Sequence, residues 1–232
     1  MTTVNILSGG AAQGLVRGLA DAFKAKTGFG IDGEFGAVGV MADKLRAGTP
    51  ADLVILTQAL LAKLAEERLV VPSSITDVGR VETALAVRSH DPKVTVKTEA
   101  DLRDVLRSAD AIFVPDTKAS TAGQHVAKVL DQLGIAYEVA SRLKIYPNGA
   151  TAMRELAAST AQRPIGCTQA TEIIATDGIA LSGSLPPGCE LVTMYTAGAT
   201  ARAAHPREAA ALIVLLTGAD RTELRQRVGF AG

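Results

Sequence analysis

Short apolar runs alternate with segments of helical period almost from end to end of the chain. Thr3–Leu7 predicts a strand, then a glycine turn and an amphipathic helix in which Leu15, Leu19 and Phe23 recur one turn apart, with Val16 and Ala20 alongside. Gly28 predicts the stop of that helix. Ile31–Phe35 predicts a second strand, Val38–Ala47 a helix, Asp52–Leu56 a fully apolar third strand and Gln58–Glu67 another helix, closed by Pro72. This βαβαβα order implies a parallel sheet wrapped by right-handed crossovers.

Residues 72–80 are polar and rich in turn formers, and Val81–Arg88 predicts a strand where the chain enters a second lobe. A second α/β series follows. Helices are expected at Glu99–Arg107, Thr121–Leu133 and Asn148–Ser159, and strands at Ala111–Val114, Leu143–Tyr146 and Pro164–Thr168. After Pro186–Pro187–Gly188, the strand Leu191–Ala199 carries the chain back, and helices at Pro206–Leu216 and about Ala219–Arg227 complete the first lobe. The expected fold is therefore α/β and two-lobed, each lobe a mostly parallel sheet flanked by helices. Residues 1–80 with 200–232 form one lobe and 81–199 the other. Open α/β sheets bind ligands at the carboxyl ends of their strands, so the ligand cleft is expected between the lobes.

Composition narrows the function. With 47% apolar and 21% charged residues, the chain reads as a soluble globular protein whose cores need no metal or disulfide staple. The 24 basic and 24 acidic residues cancel, which argues against nucleic acid as a partner. Aromatics are only 3% and Trp is absent, so stacking platforms for bases or sugars are scarce. A small anion held through backbone amides fits better. No apolar run approaches the roughly 20 residues of a membrane span, so no membrane insertion is expected. The opening MTTVNILSGG has no basic-then-apolar leader. Either the protein is cytoplasmic, or it is a periplasmic domain whose signal peptide has been removed. Cys167 and Cys189 are expected as free buried thiols, with a bridge in an oxidising compartment as the alternative. No metal site, no cofactor and a monomeric state are expected. His90 and His205 are expected in solvent, His125 on a helix surface or packed, and the Arg221–Arg227 positions on a solvated helix face.

The loops carry the chemistry. Ser8, Gly9, Gly10 and Ala11 join the first strand to the first helix, where small residues let an anion approach the free N–H groups of a helix start. The loop is neither a Walker A nor a GxGxxG motif. Gly36, Ala37 and Val38 repeat the arrangement after the second strand. Ser120, Thr121 and Ala122, and then Asn148 and Gly149, open helices of the second lobe in the same manner, with capping as the competing role of their hydroxyl and amide groups. Thr57, Gln58, Thr168 and Gln169 stand at the ends of further strands as polar donors, with Lys118 as a countercharge.

The segments AFKAKTGFGIDGEFGAVG (22–39) and RAGTPADLVIL (46–56), the Ser120–Gly123 loop and the closing VGF (228–230) resemble the molybdate-binding proteins of ABC importers, within the type II periplasmic binding fold. The likeness runs from Val4 to about Phe230. It implies a solute-binding protein with a small anionic ligand and an ABC permease as partner. It also implies positions for the oxyanion's grip: a first-loop Ser falls on Ala11, a second on Val38 and a Tyr hydroxyl on Gln169, while two backbone N–H donors fall near Ala122 and Gly149. The backbone cradle is thus kept and the side-chain donors are replaced. Each missing donor costs roughly 1–3 kcal/mol, which favours an organic carboxylate over molybdate or tungstate. Aconitate isomerase is similar to the same family, so isomerisation of a small tricarboxylate is the alternative activity.

Overall fold

The computed structural model describes residues 2–231. Two compact units emerge, one made of residues up to Val81 and from Met194 onward, the other of Glu82–Thr193. The first opens with β1 (Thr3–Gly9), α1 (Gln13–Thr27), β2 (Gly30–Gly36), α2 (Val38–Arg46), β3 (Leu53–Thr57) and α3 (Gln58–Glu66). Strand β1 lies between β2 and β3 and is parallel to both, with Gly9 opposite Gly36 and Ser8 opposite Ile55. Leu53, Val54, Ile55 and Leu56 are all buried, as befits a strand covered on both faces. From α1, Leu15, Leu19 and Phe23 are completely buried, each worth roughly 1.5–3 kcal/mol. The helix ends where Gly28 turns left-handed at φ 78° and returns its N–H to the Lys24 carbonyl at 2.8 Å.

Strand β4 (Thr76–Arg88) carries the chain into the second unit. It begins at Thr76 rather than Val81, because only Pro72–Ser74 forms a turn. The polar side chains of Thr76, Asp77 and Arg80 are exposed on an extended strand. There follow α4 (Glu99–Ser108), β5 (Ala111–Pro115), α5 (Thr121–Gln132), the short α6 (Ala136–Val139), β6 (Leu143–Tyr146), α7 (Gly149–Ala158), β7 (Pro164–Gln169), the short α8 (Ala170–Ile174) and β8 (Ile179–Ser184). Strand β5 is parallel to β6 and β7, whereas β4 is antiparallel to β7 and β8. The pattern of apolar residues did not disclose β8, whose side chains are all at least partly exposed and give no alternation. One apolar face packs Leu85, Ile112, Ile165 and Cys167 beneath Leu102, Leu106, Val126 and Leu130.

The return strand β9 (Val192–Ala199) pairs antiparallel with β3, with Tyr195 opposite Thr57, and leads to α9 (Pro206–Thr217) and α10 (Thr222–Arg227). The expected parallel order thus holds for β1–β3 and β5–β7, while β4, β8 and β9 run against their partners. Side-chain periodicity is the same in either direction. Buried Asp52 ties the first unit together. Its carboxylate accepts the N–H of Asn5 at 2.9 Å and of His205 at 2.8 Å, and its carbonyl accepts from Thr200 N–H at 3.0 Å. His205 is accordingly half-buried and meets Phe29 edge-on at 5.0 Å, contrary to the expectation of a solvent position. Arg225 is likewise not merely solvated: its guanidinium donates to the Leu216 and Gly218 carbonyls at the end of α9.

Candidate functional site

In the first unit the parallel order brings the carboxyl ends of β1, β2 and β3 to one sheet edge. Each leads directly into a helical turn that has no side-chain cap: Gly10–Ala12, α2 at Val38 and α3 at Gln58. Ala11, Ala12, Ala37 and Val38 are buried there, so the N–H groups of these starts face little water. The Ser8 hydroxyl is fully buried and spends its hydrogen on the Gly9 carbonyl at 2.9 Å. A Cβ on Gly9 would lie 2.8 Å from Val38 Cγ1 and 2.9 Å from Tyr195 Cε1. Gly9, Val38, Tyr195 and its cross-strand partner Thr57 therefore converge. Gly36 is pressed against Met41, while Gln58 is exposed. The arrangement offers amide donors and positive helix ends without a cation, which suits an anion.

The second unit is built differently, because the starts of α4, α5 and α7 carry side-chain caps. The Ser120 hydroxyl accepts Gly123 N–H at 3.4 Å, and the Asn148 side chain accepts Thr151 N–H at 2.8 Å. Helix α5 starts hard against the end of β5: a Cβ on Gly123 would lie 2.5 Å from the Pro115 carbonyl. Asp116 braces this loop by accepting Lys118 N–H at 2.6 Å and Ala119 N–H at 2.8 Å, which holds its carboxyl below the usual range. Thr121 and the buried Ala122 form the first turn of α5. Lys118, proposed as a countercharge, is exposed.

The start of α7 is occupied by a residue that the sequence did not single out. Glu172, buried at the beginning of α8, accepts the Thr168 hydroxyl at 2.6 Å and the backbone N–H groups of Ala150, Gln169 and Gly149. Burial pushes its carboxyl above the usual range against the pull of these donors. Gly149 and Thr168, read as ligand donors, are thus engaged by the protein's own carboxyl group. A Glu four residues after Thr168, in the first turn of a short helix, was the available signal.

Strand periodicity separates the two faces of β7. Thr168 points to the α7 side, whereas Gln169 shares its face with Cys167, and Thr83 with Leu85. Thr83 and Gln169 are directly opposite in the ladder and 1% and 3% exposed. The Gln169 Nε2 donates to Thr193 Oγ1 at 3.4 Å, but Gln169 Oε1 and Thr83 Oγ1 have no hydrogen-bond partner, nor has Thr171 Oγ1. His125, on α5, has Nε2 within 2.7 Å of the Cys189 carbonyl, so it is packed within the second unit. Cys167 and Cys189 are free and buried, and burial pushes the Cys167 thiol up to about 12. Among the described residues no three His, Cys, Asp or Glu side chains gather as for a metal ion, and no helix is long and apolar enough to cross a membrane.

Helix starts without side-chain caps along the carboxyl edge of an open α/β sheet are places where such folds hold small anions. The chain belongs to the bacterial extracellular solute-binding protein family, whose model matches residues 4–231. It is 27% identical over 231 residues to an aconitate isomerase from a Pseudomonas species, covering 95% of this chain and 84% of that one. Among solved structures it is similar to the periplasmic molybdate-binding protein of Azotobacter vinelandii, with a TM-score of 0.83, 17% identity and 99% of both chains covered. It also resembles the sulfate-binding protein SubI of Mycobacterium tuberculosis, with a TM-score of 0.76, 19% identity, and 99% of this chain and 86% of that one covered.

Proposed function

We propose that this protein captures a small organic carboxylate outside the cytoplasmic membrane and delivers it, as a monomer, to an ABC permease. One observation carries the reading: three helix starts without side-chain caps gather at one sheet edge of the first unit, around Gly9, Val38 and Thr57, two of them at buried residues. The amides and positive end of a helix start favour an anionic ligand. The ligand contacts assigned in the first unit are the N–H groups around Gly10, Ala11 and Val38, with Thr57 as a hydroxyl donor. The apolar side chains of Ala11 and Val38 favour a carboxylate over a metal oxyanion, which needs a donor for each of its oxygens. Native mass spectrometry of the purified protein should reveal an organic acid of a few hundred daltons or less. Calorimetric binding of molybdate at submicromolar Kd would overturn the reading.

A second reading, isomerisation of a small tricarboxylate, is favoured by the full-length likeness to aconitate isomerase. It requires a group that moves a proton on the substrate. His125 is held by the Cys189 carbonyl, and Glu172 already meets four donors, so neither is free for that task as the site stands. Proton NMR of trans-aconitate in D2O with the protein separates the two: isomerisation or deuterium exchange establishes the second reading.

A further inference from the structure

We propose that the second unit holds a site for a small uncharged molecule with an apolar body and one hydroxyl, in a cavity at the amino ends of β5 and β7. The cavity has a volume of about 270 Å³ and is formed by residues of that unit alone. Its walls are Val87 near the end of β4, Val94 in the segment that follows, Val105 and Ala109 towards the end of α4, and Pro164 and Ile165 at the start of β7. Because β5 and β7 are parallel, this edge is opposite to the carboxyl ends, where open α/β sheets hold their main ligand. It shares no residue with the anion site proposed in the first unit. The space is built into the fold. Residues 92–97 have no regular secondary structure, yet three ties fix the segment. Asp91 accepts from Arg88 Nε at 2.6 Å, the Ser182 hydroxyl accepts Val94 N–H at 2.8 Å and donates to the Val94 carbonyl at 3.2 Å, and Thr98 caps α4. A segment fastened at both ends and in its middle cannot collapse into the cavity without losing these bonds. The two charged residues that line the cavity are already paired, Asp91 with Arg88 and Arg163 with Asp110 at 3.2 Å. The Arg88 guanidinium is further engaged by the Ser159 carbonyl at 2.6 Å. An ionic ligand would therefore lose its hydration against aliphatic walls with no free counter-ion to meet it. A hydroxyl needs no counter-ion: the Asp91 carboxylate keeps lone pairs for its hydrogen, and a charged acceptor makes that bond a strong one. An aliphatic cavity of about 150 Å³ is enough for benzene, so this one has room for a substituted ring of about ten non-hydrogen atoms.

The test is calorimetric titration of the full chain at pH 7 with three probes of similar size. These are 4-ethylphenol, which is uncharged at that pH, its isomer 4-methylanisole, which has no hydrogen to donate, and 4-methylbenzoate, which is ionised. The wild type should bind the phenol at one site with a Kd below about 1 mM, and the other two about 10-fold or more weakly. Val105→Trp and Val94→Phe fill the cavity from two of its walls, and each should weaken binding of the phenol about 10-fold or more. Each variant is first checked for a wild-type circular dichroism spectrum. No saturable binding of the phenol below about 1 mM overturns the site. An affinity unchanged in both variants places the phenol elsewhere and overturns it as well. Equal binding of phenol and anisole overturns the part given to the hydroxyl and Asp91, and tighter binding of the benzoate overturns the uncharged class. A dimer in native mass spectra that Val105→Trp abolishes would give the cavity to a second copy of the chain instead.

Discussion

Replacing Gly149 with alanine is expected to destabilise the protein by about 1–3 kcal/mol. A Cβ there would overlap Glu172 Oε2 and Thr168 Oγ1 and lie 2.5 Å from Glu172 Cδ. Neither neighbour gives way cheaply. The Glu172 carboxyl is buried and serves the Thr168 hydroxyl as well as the N–H groups of Ala150, Gln169 and Gly149. Its withdrawal would strand interior donors at about 1–3 kcal/mol each. Overpacking without withdrawal costs about 1–3 kcal/mol. The lower backbone entropy of alanine offsets only about 0.5–1 kcal/mol of this. Urea unfolding followed by circular dichroism should show the midpoint falling by about 0.5–1.5 M, given a slope of about 2 kcal/mol per molar. The double variant Gly149→Ala with Glu172→Ala removes the overlapped group, so the two costs should fall short of additivity by at least about 1 kcal/mol. A midpoint within about 0.3 M of wild type, or strict additivity, refutes the reasoning.

Removal of the Thr98 hydroxyl in Thr98→Ala breaks the capping box with Asp101 and should cost about 1 kcal/mol in the same urea experiment, with no effect on ligand affinity. The raised Glu172 carboxyl means that the folded chain keeps a proton which the unfolded chain releases, so its contribution is present below the ordinary carboxylate range and lost as pH rises through the window up to the folded value. Midpoints measured from pH 4 to 8 should therefore fall for the wild type relative to Glu172→Gln, and a rising difference contradicts the assignment. With its thiol pushed up to about 12, Cys167 should remain unlabelled by a disulfide reagent at pH 8 until the protein is unfolded. Labelling of the native protein within seconds at Cys167, located by peptide mass, would show the burial to be wrong.

Much of the scaffold was legible because its signals are local. The turn at Gly28, the apolar run of β3 and the glycine-bearing loops after β1 and β2 each announce themselves within a few residues. The motif at 46–56 was also legible, but its Asp52 does structural work, fastening β1 and the approach to α9. What escaped was created by contacts between distant segments. Glu172 looks like any solvated helix residue until α7 closes over it. Thr83 looks like an ordinary strand former until Gln169 is laid opposite. Ser120 and Asn148 illustrate a third limit: the same atoms serve a cap or a ligand, and only the helix start decides between them.

The two units differ in how their helix starts are satisfied. In the first unit the helix starts lack side-chain caps, and amides respond to negative charge with little regard for the rest of the ligand. In the second, Ser120, Asn148 and Glu172 already satisfy much of the helix-start demand. What stays unsatisfied there is specific: a carbonyl oxygen on Gln169 and hydroxyls on Thr83 and Thr171. On the proposed function, the first unit's amides answer to the charge of the ligand rather than to its shape. Substitutions in the loops after β1 and β2 should therefore weaken binding of different small anions by similar factors, which calorimetric titration with two acids of unlike shape would read; loss of one and not the other would contradict this.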